Sequence, residues 1–153
     1  MKIVNDVLEI NPNKYLDFID LTEQVEKIVD KSGIKNGSVL VFSTHTTLAI
    51  CVNEKEKGIC KDFEALVGKL IPKTGYYHHN DLTERTENLV CQSAASDCLN
   101  GHSHCTHLLM RNSETIPIID GKMALGIWQR IFAIELDCCR PRKVIVQTSG
   151  LDK

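Results

Sequence analysis

This chain of 153 residues is short of several things, and each shortage removes a class of function. It has no surplus of either charge. Eighteen Lys and Arg against twenty Asp and Glu give a formal net charge of −2, so neither a nucleic-acid partner nor an acidic disordered tail is expected. It has no long apolar run; stretches such as Val39-Leu40-Val41-Phe42 are far too short to span a bilayer. The N-terminus, Met1-Lys2-Ile3-Val4-Asn5-Asp6, meets an acid at once and lacks the apolar core of an export signal, so a cytoplasmic location is the expectation. There is no glycine-rich phosphate loop and no βαβ rhythm, which sets aside the dinucleotide-binding and P-loop readings. Seven cysteines are present, but none form a C-x-x-C pair. Their odd number and the adjacent Cys138-Cys139 resemble no disulfide framework, so they are read as packed thiols. No repeat, linker or low-complexity tract divides residues 1–153, and a single domain is expected.

What is present is a set of histidines in three small groups. Three of the six lie in Asn100-Gly101-His102-Ser103-His104-Cys105-Thr106-His107; the others are His45, within Ser43-Thr44-His45-Thr46-Thr47, and the pair His78-His79. Each group has small polar neighbours and sits near an expected element end. Imidazoles from separate segments can converge on one divalent metal, because neutral imidazole is a good ligand for zinc and similar ions.

Periodicity sketches the frame. Residues 2–10 and 14–20 read as strand, turn and strand across Asn11-Pro12-Asn13. Asp20-Leu21-Thr22-Glu23 offers a helix start, Val25, Ile28 and Val29 share one face, and Gly33 closes the segment. Ser38 to Phe42 is a buried strand and Leu48 to Val52 another, with residues 43–47 a hairpin corner or bulge between them. Residues 56–70 are helical, with Ile59, Phe63, Val67 and Leu70 at helical intervals before Pro72. A turn-rich loop over 72–84 precedes a mostly helical stretch over 85–112, broken near Asn100-Gly101. A helix from about residue 102 sets His104, His107 and Leu108 on one face; an extended chain would align His102 with His104. Residues 115–119 and 123–136 read as a hairpin about Asp120-Gly121, and 143–148 as a closing strand. The fold class is α+β: a mostly antiparallel sheet or sandwich with two or three helices.

These residues also carry a family pattern. His45-Thr46 followed by Asn53-Glu54, Tyr77-x-His79, His104 in its Asn-Gly-His-Ser-His setting, Ile116-Pro117-Ile118, Gly121-Lys122-Met123-Ala124-Leu125-Gly126-Ile127-Trp128-Gln129 and Arg142 occur in order over about residues 40–150. In this the chain resembles the YjbQ family, also called UPF0047, whose members are often described as secondary thiamine-phosphate synthases. It departs from the common pattern at Ile127, where Thr is usual, and at Cys138-Cys139, where a small or Gly-Pro segment is usual.

The resemblance implies a YjbQ-like α+β fold, a homotrimer, and a histidine cluster able to hold a metal beside an anion site. It implies His45, His79 and His104 as the metal ligands, with an open fourth position of the catalytic type. Zinc is the expected ion, or magnesium carried with a pyrophosphate substrate. The implied activity joins a pyrimidine-methyl pyrophosphate to a thiazole phosphate with release of pyrophosphate, as a main or a side reaction. Such a transferase mainly positions its partners and neutralises the leaving group.

Arg142 is the expected phosphate clamp, a guanidinium being suited to two parallel hydrogen bonds, and Arg140 is its substitute. Thr46 and Thr47 are candidate hydroxyl donors to phosphate. His102 is a candidate for orienting a ligand or moving a proton beside the anion. Glu54 either orients a histidine, acts as a base, or caps the next helix. His78, His107, Cys105 and Lys122 are read as ordinary packing or surface residues, and Trp128 and Gln129 as anchors of core and subunit packing. Two other functions fit the same residues: a metal-dependent hydrolase of a small phosphorylated substrate, and a non-catalytic trimeric metal- or anion-binding protein. No nucleic acid or membrane partner is expected.

Overall fold

The computed structural model describes residues 1–89 and 99–152. Among the described residues eight strands form two antiparallel sheets. β1 (Lys2–Ile10), β8 (Arg142–Leu151), β3 (Asn36–Ser43), β5 (Ser113–Ile119) and β6 (Lys122–Met123) lie side by side in that order. β2 (Asp17–Asp20), β7 (Gln129–Glu135) and β4 (Leu48–Glu54) form the second sheet. Among the described residues three α-helices, α1 (Thr22–Ser32), α2 (Lys57–Leu70) and α3 (Gly101–Leu109), and a 3-10 turn over His78–Asn80 complete the fold. The α+β class and the antiparallel sheets agree with the sequence reading.

Connections differ from expectation at three points. β1 and β2 do follow one another across a turn, but β1 pairs with β8 and β2 with β7, so they belong to different sheets. Residues 44–47 likewise carry the chain from β3 in the large sheet to β4 in the small one, so they form a sheet-switching corner instead of a hairpin turn. The expected hairpin after Asp120-Gly121 lasts two residues. Ile118 and Ile119 pair with Met123 and Lys122, and the chain then leaves to form β7 in the other sheet. The turn itself is as read: φ is 50° at Asp120 and 81° at Gly121, the left-handed pair of a tight hairpin turn. Within the expected helical stretch over 85–112, residues 85–89 are irregular and α3 covers Gly101–Leu109; the part over 90–98 lies outside the described residues.

The main core lies between the two sheets and α1. Val39, Val41, Val144 and Val146 face Leu48, Ile50, Ile131 and Ala133, with Val25, Ile28 and Val29 of α1 closing one side. α1 begins where Asp20 accepts hydrogen bonds from the Thr22 N–H (3.0 Å) and hydroxyl (2.7 Å), and ends at left-handed Gly33. β7 is buried on both faces, its Phe132 and Ile134 packing outward with Leu16 and Val67. That two-sided burial explains why 131–136 is an unbroken apolar run save for Glu135. No helix among the described residues is long and apolar enough to cross a membrane.

Candidate functional site

β3 and β7 end, and β4 and β8 begin, at one end of the two sheets. There the corner 44–47, the loop from β7 to β8 and the start of α3 meet. They enclose a cavity of about 290 Å³ lined by His45, Thr47, Asn100, His104, Arg140 and Arg142, with Thr44 and Thr46 beside them. Five of the residues singled out from sequence as phosphate or metal contacts, His45, Thr46, Thr47, His104 and Arg142, therefore converge, together with the substitute clamp Arg140 and with Asn100.

The corner is held from both sides. The Ser43 hydroxyl and His45 main chain bond each other, the His45 N–H donating to Ser43 Oγ at 3.2 Å. The Lys143 N–H donates to His45 Nε2 at 3.0 Å. Nε2 is thereby the unprotonated nitrogen of His45, and burial followed by the Arg142 cation lowers its pKa.

Arg142 is buried and forks onto Glu135, with Nε 2.7 Å from Oε2 and Nη2 2.5 Å from Oε1. Nη2 also donates to Thr47 Oγ1 at 3.3 Å. The expected clamp is thus engaged by a protein carboxylate, and Nη1 alone takes part in none of these bonds. Arg140 is ion-paired to Asp137 through Nη2, while its Nε is buried without a partner among the described residues. Asp137 also accepts from the Asn100 side-chain nitrogen at 2.9 Å. Asn100 Oδ1 is therefore the atom turned to His79, 3.1 Å from its Nε2.

His79 and His104 are ring neighbours, their centroids 4.5 Å apart. His104 lies on α3 and faces the cavity; its pKa is lowered by burial and then by His79. His79 Nε2 also lies 3.0 Å from Arg85 Nη1. The three histidines named as ligands thus sit as a pair plus one. His45 shares the cavity with His104, but its Nε2 is occupied by a main-chain donor. Among the described residues, no three His, Cys, Asp or Glu side chains are arranged to hold an ion. The donor set of this arrangement does not fit a three-histidine metal centre, and no chemical step is derived through a metal.

Other candidates lie elsewhere. Glu54 is exposed at the far end of β4, six residues beyond the cavity-lining corner's neighbour Leu48, which is roughly 20 Å along a strand. It does not cap α2 either; Glu56 does, accepting from the Gly58 and Ile59 N–H groups. His102 is buried but does not line the cavity; its ring stands edge-on to Tyr15, 5.6 Å between centroids, with Nδ1 unpartnered among the described residues. His78 is exposed and paired with Glu84, and Lys122 and Cys105 are exposed. Trp128 is 67% exposed and Gln129 is exposed too, so neither is a core anchor of this chain.

Three residues escaped the sequence reading: Glu135, Asp137 and, as a site member, Asn100. Glu135 left a signal, being a lone acid within an apolar run that must find a buried cation. Asp137 and Asn100 left none, since both are ordinary loop residues in sequence.

Comparison with known proteins agrees with this fold. The family model described as UPF0047 protein YjbQ-like matches residues 6–151. The chain belongs to the YjbQ family. A UPF0047 protein of Methanothermobacter thermautotrophicus is 33% identical over 150 residues, covering 98% of this chain and 94% of that one. Another from Archaeoglobus fulgidus is 36% identical over 140 residues, covering 92% and 97%. Among solved structures, a YbjQ-like protein of unknown function from Sulfolobus solfataricus P2 superposes with a TM-score of 0.83 at 31% identity, covering 97% of this chain and 98% of that one. A hypothetical protein from Aeropyrum pernix K1 gives 0.81 at 28% identity, covering 96% and 98%.

Proposed function

We propose that the cavity at the ends of the sheets binds the phosphate or pyrophosphate group of a small phosphorylated substrate. We further propose that the protein is a transferase of the thiamine-phosphate synthase type, acting in the cytoplasm. The observation that carries the reading is the meeting of Arg140, Arg142, two neutral histidines and the threonine hydroxyls of residues 44, 46 and 47 on one polar cavity. Arg140 Nε is a buried donor with no acceptor among the described residues, which an anionic oxygen would satisfy.

In the joining reaction the bond from the pyrimidine methylene to pyrophosphate oxygen breaks, and the thiazole nitrogen supplies the electron pair of the new carbon–nitrogen bond. Arg140 and the threonine hydroxyls hold the departing pyrophosphate, and Arg142 fixes Thr47 for that purpose. His104 and His45, both neutral, donate ring N–H hydrogen bonds to the leaving oxygens as pyrophosphate departs. A divalent ion, zinc first, enters this reading only as a companion carried by the bound phosphate, not as a three-histidine centre. A homotrimer belongs to it as well, with Ile3, Val7 and Ile119 on the outer face of the large sheet half exposed and available for subunit contact.

The test incubates the protein with both phosphorylated substrates and follows thiamine phosphate and pyrophosphate together. The reading predicts equimolar products, lost in Arg140→Ala and His104→Ala. Phosphate release from simple esters without the joined product would establish the hydrolase alternative. Failure of pyrophosphate to bind at all would refute the site itself. Elemental analysis of wild type beside His79→Ala and His104→Ala checks the ion separately.

A further inference from the structure

α2 is held less closely than α1. Of its apolar side chains Ile59, Phe63, Leu66, Val67 and Leu70, only Val67 is buried. Under its first turns a second cavity, about 530 Å³, opens against the outer face of the small sheet. It shares no lining residue with the polar cavity. Its floor is apolar, made by Leu16, Phe18 and Phe132, with the Cys60 thiol on one wall.

The rim is basic. Lys14, Lys55, Lys57 and Lys61 line it, and only Lys55 has an ion-pair partner among the described residues, Asp20 at 3.1 Å. Of the rim acids, Asp17 is engaged by the Asn13 N–H at 2.8 Å and Glu56 by the α2 N-terminus. Those hydrogen bonds leave both carboxylates charged, so with Glu64 three acids oppose four lysines and the lining carries a surplus of one positive charge, a match for a single carboxylate. The size falls in the range of small-molecule sites, roughly 300–1,000 Å³.

We propose that this cavity binds a small apolar monocarboxylate, its chain or ring on the Phe18–Phe132 floor and its head among Lys14, Lys57 and Lys61. The charge surplus calls for an anion and the floor for an apolar body. A phosphate head is a poorer match. No arginine lines the cavity, and the first N–H groups of α2 are already taken by Glu56, so no fixed donors remain for a multiply charged group.

Calorimetric titration of the full chain with decanoate tests this. One saturable site per chain is expected, with binding weakened about tenfold or more in Lys57→Glu/Lys61→Glu, and by a similar factor for the neutral decanamide. Cys60→Trp should abolish binding by filling the space. Arg140→Ala should leave it unchanged, which separates this site from the phosphate site. Circular dichroism and the thermal midpoint of the lysine double variant should match wild type. No saturable heat from decanoate overturns the proposal, as does equal affinity in wild type and both cavity variants. A groove filled by a second copy of the chain would show as a wild-type assembly that Cys60→Trp dissociates, with no decanoate binding, and would overturn it too.

Discussion

At the ends of the sheets the arginines are already engaged, Arg142 with Glu135 and Arg140 with Asp137, whereas three of the four lysines around the cavity beneath α2 have no ion-pair partner among the described residues. The two cavities therefore attract anions by different means. In the first, two arginines meet two carboxylates and the local charges cancel, so an incoming phosphate is held by aimed donors such as Arg140 Nε and the threonine hydroxyls. In the second the donors are long flexible chains, and a net positive rim does the attracting. The first is rigid and selective; the second is adaptable and tuned by charge.

The sharpest way to break this contrast is to remove Arg142. Its loss strands Glu135, which is fully buried, and an uncompensated buried charge costs about 3–5 kcal/mol. Arg142→Met should lower the unfolding free energy by that amount in a urea titration. The double variant Arg142→Met/Glu135→Met should recover much of it. A single variant as stable as wild type would show that the pair does not organise the site.

Removing Arg140 should act on binding instead. Its side chain is partly exposed and its partner lies three residues away, so the loss to folding is small. A hydrogen bond from a charged group contributes about 1.5–3 kcal/mol, which corresponds to pyrophosphate affinity falling roughly ten- to a hundredfold in Arg140→Ala. Raising salt from low to physiological strength should weaken pyrophosphate binding at the first cavity less than decanoate binding at the second, because a neutral, enclosed set of charges is screened less than an open rim. Equal salt dependence would erase the distinction.

How much of this was legible beforehand follows from what each signal measures. Hydrophobic spacing located α1, α2 and most strands, because burial on one face leaves a period. It could not say which sheet a strand joins. β1 and β2, or β3 and β4, look like hairpins in sequence, yet each pair splits between layers because the partners that claim them, β7 and β8, lie far along the chain. Spacing also reported nothing of depth: Val25 and Phe63 hold equivalent places on their helices, but α1 is sealed into the core and α2 overlies a cavity. At the site, His45, His104, Thr47 and Arg142 were found because unusual side chains in a family pattern stand out. That Arg142 is spent on Glu135 was not visible, since a partner's availability is a property of three dimensions.

Acid should loosen the first region through its histidines. His45, His102, His104 and His107 all have pKa values lowered, chiefly by burial, from an ordinary value near 6.5. Between the folded and unfolded values the unfolded chain binds more protons, so stability is complete above about pH 6.5 and declines as pH falls below it. Chemical unfolding at a series of pH values should show this, and His102→Asn should soften the decline. A flat profile from pH 7 down to 5 would mean that these imidazoles are open to water.

The smallest effect is expected where a lysine is removed from the second cavity. Lys61 has no ion-pair partner among the described residues and lies on the helix that buries least, so Lys61→Ala should change unfolding free energy by no more than about 0.5 kcal/mol. The same variant should still weaken decanoate, because the cavity's surplus of one positive charge is gone. A larger loss of stability has one reading: the lysine stem lies across Phe18 and Phe132 and shields them from water, as long amphipathic side chains do. The cavity would then be closed by its own rim, and a ligand would have to displace Lys61 before it could enter. Comparing the stability and binding effects of this one substitution therefore distinguishes an open pocket from one its own rim covers.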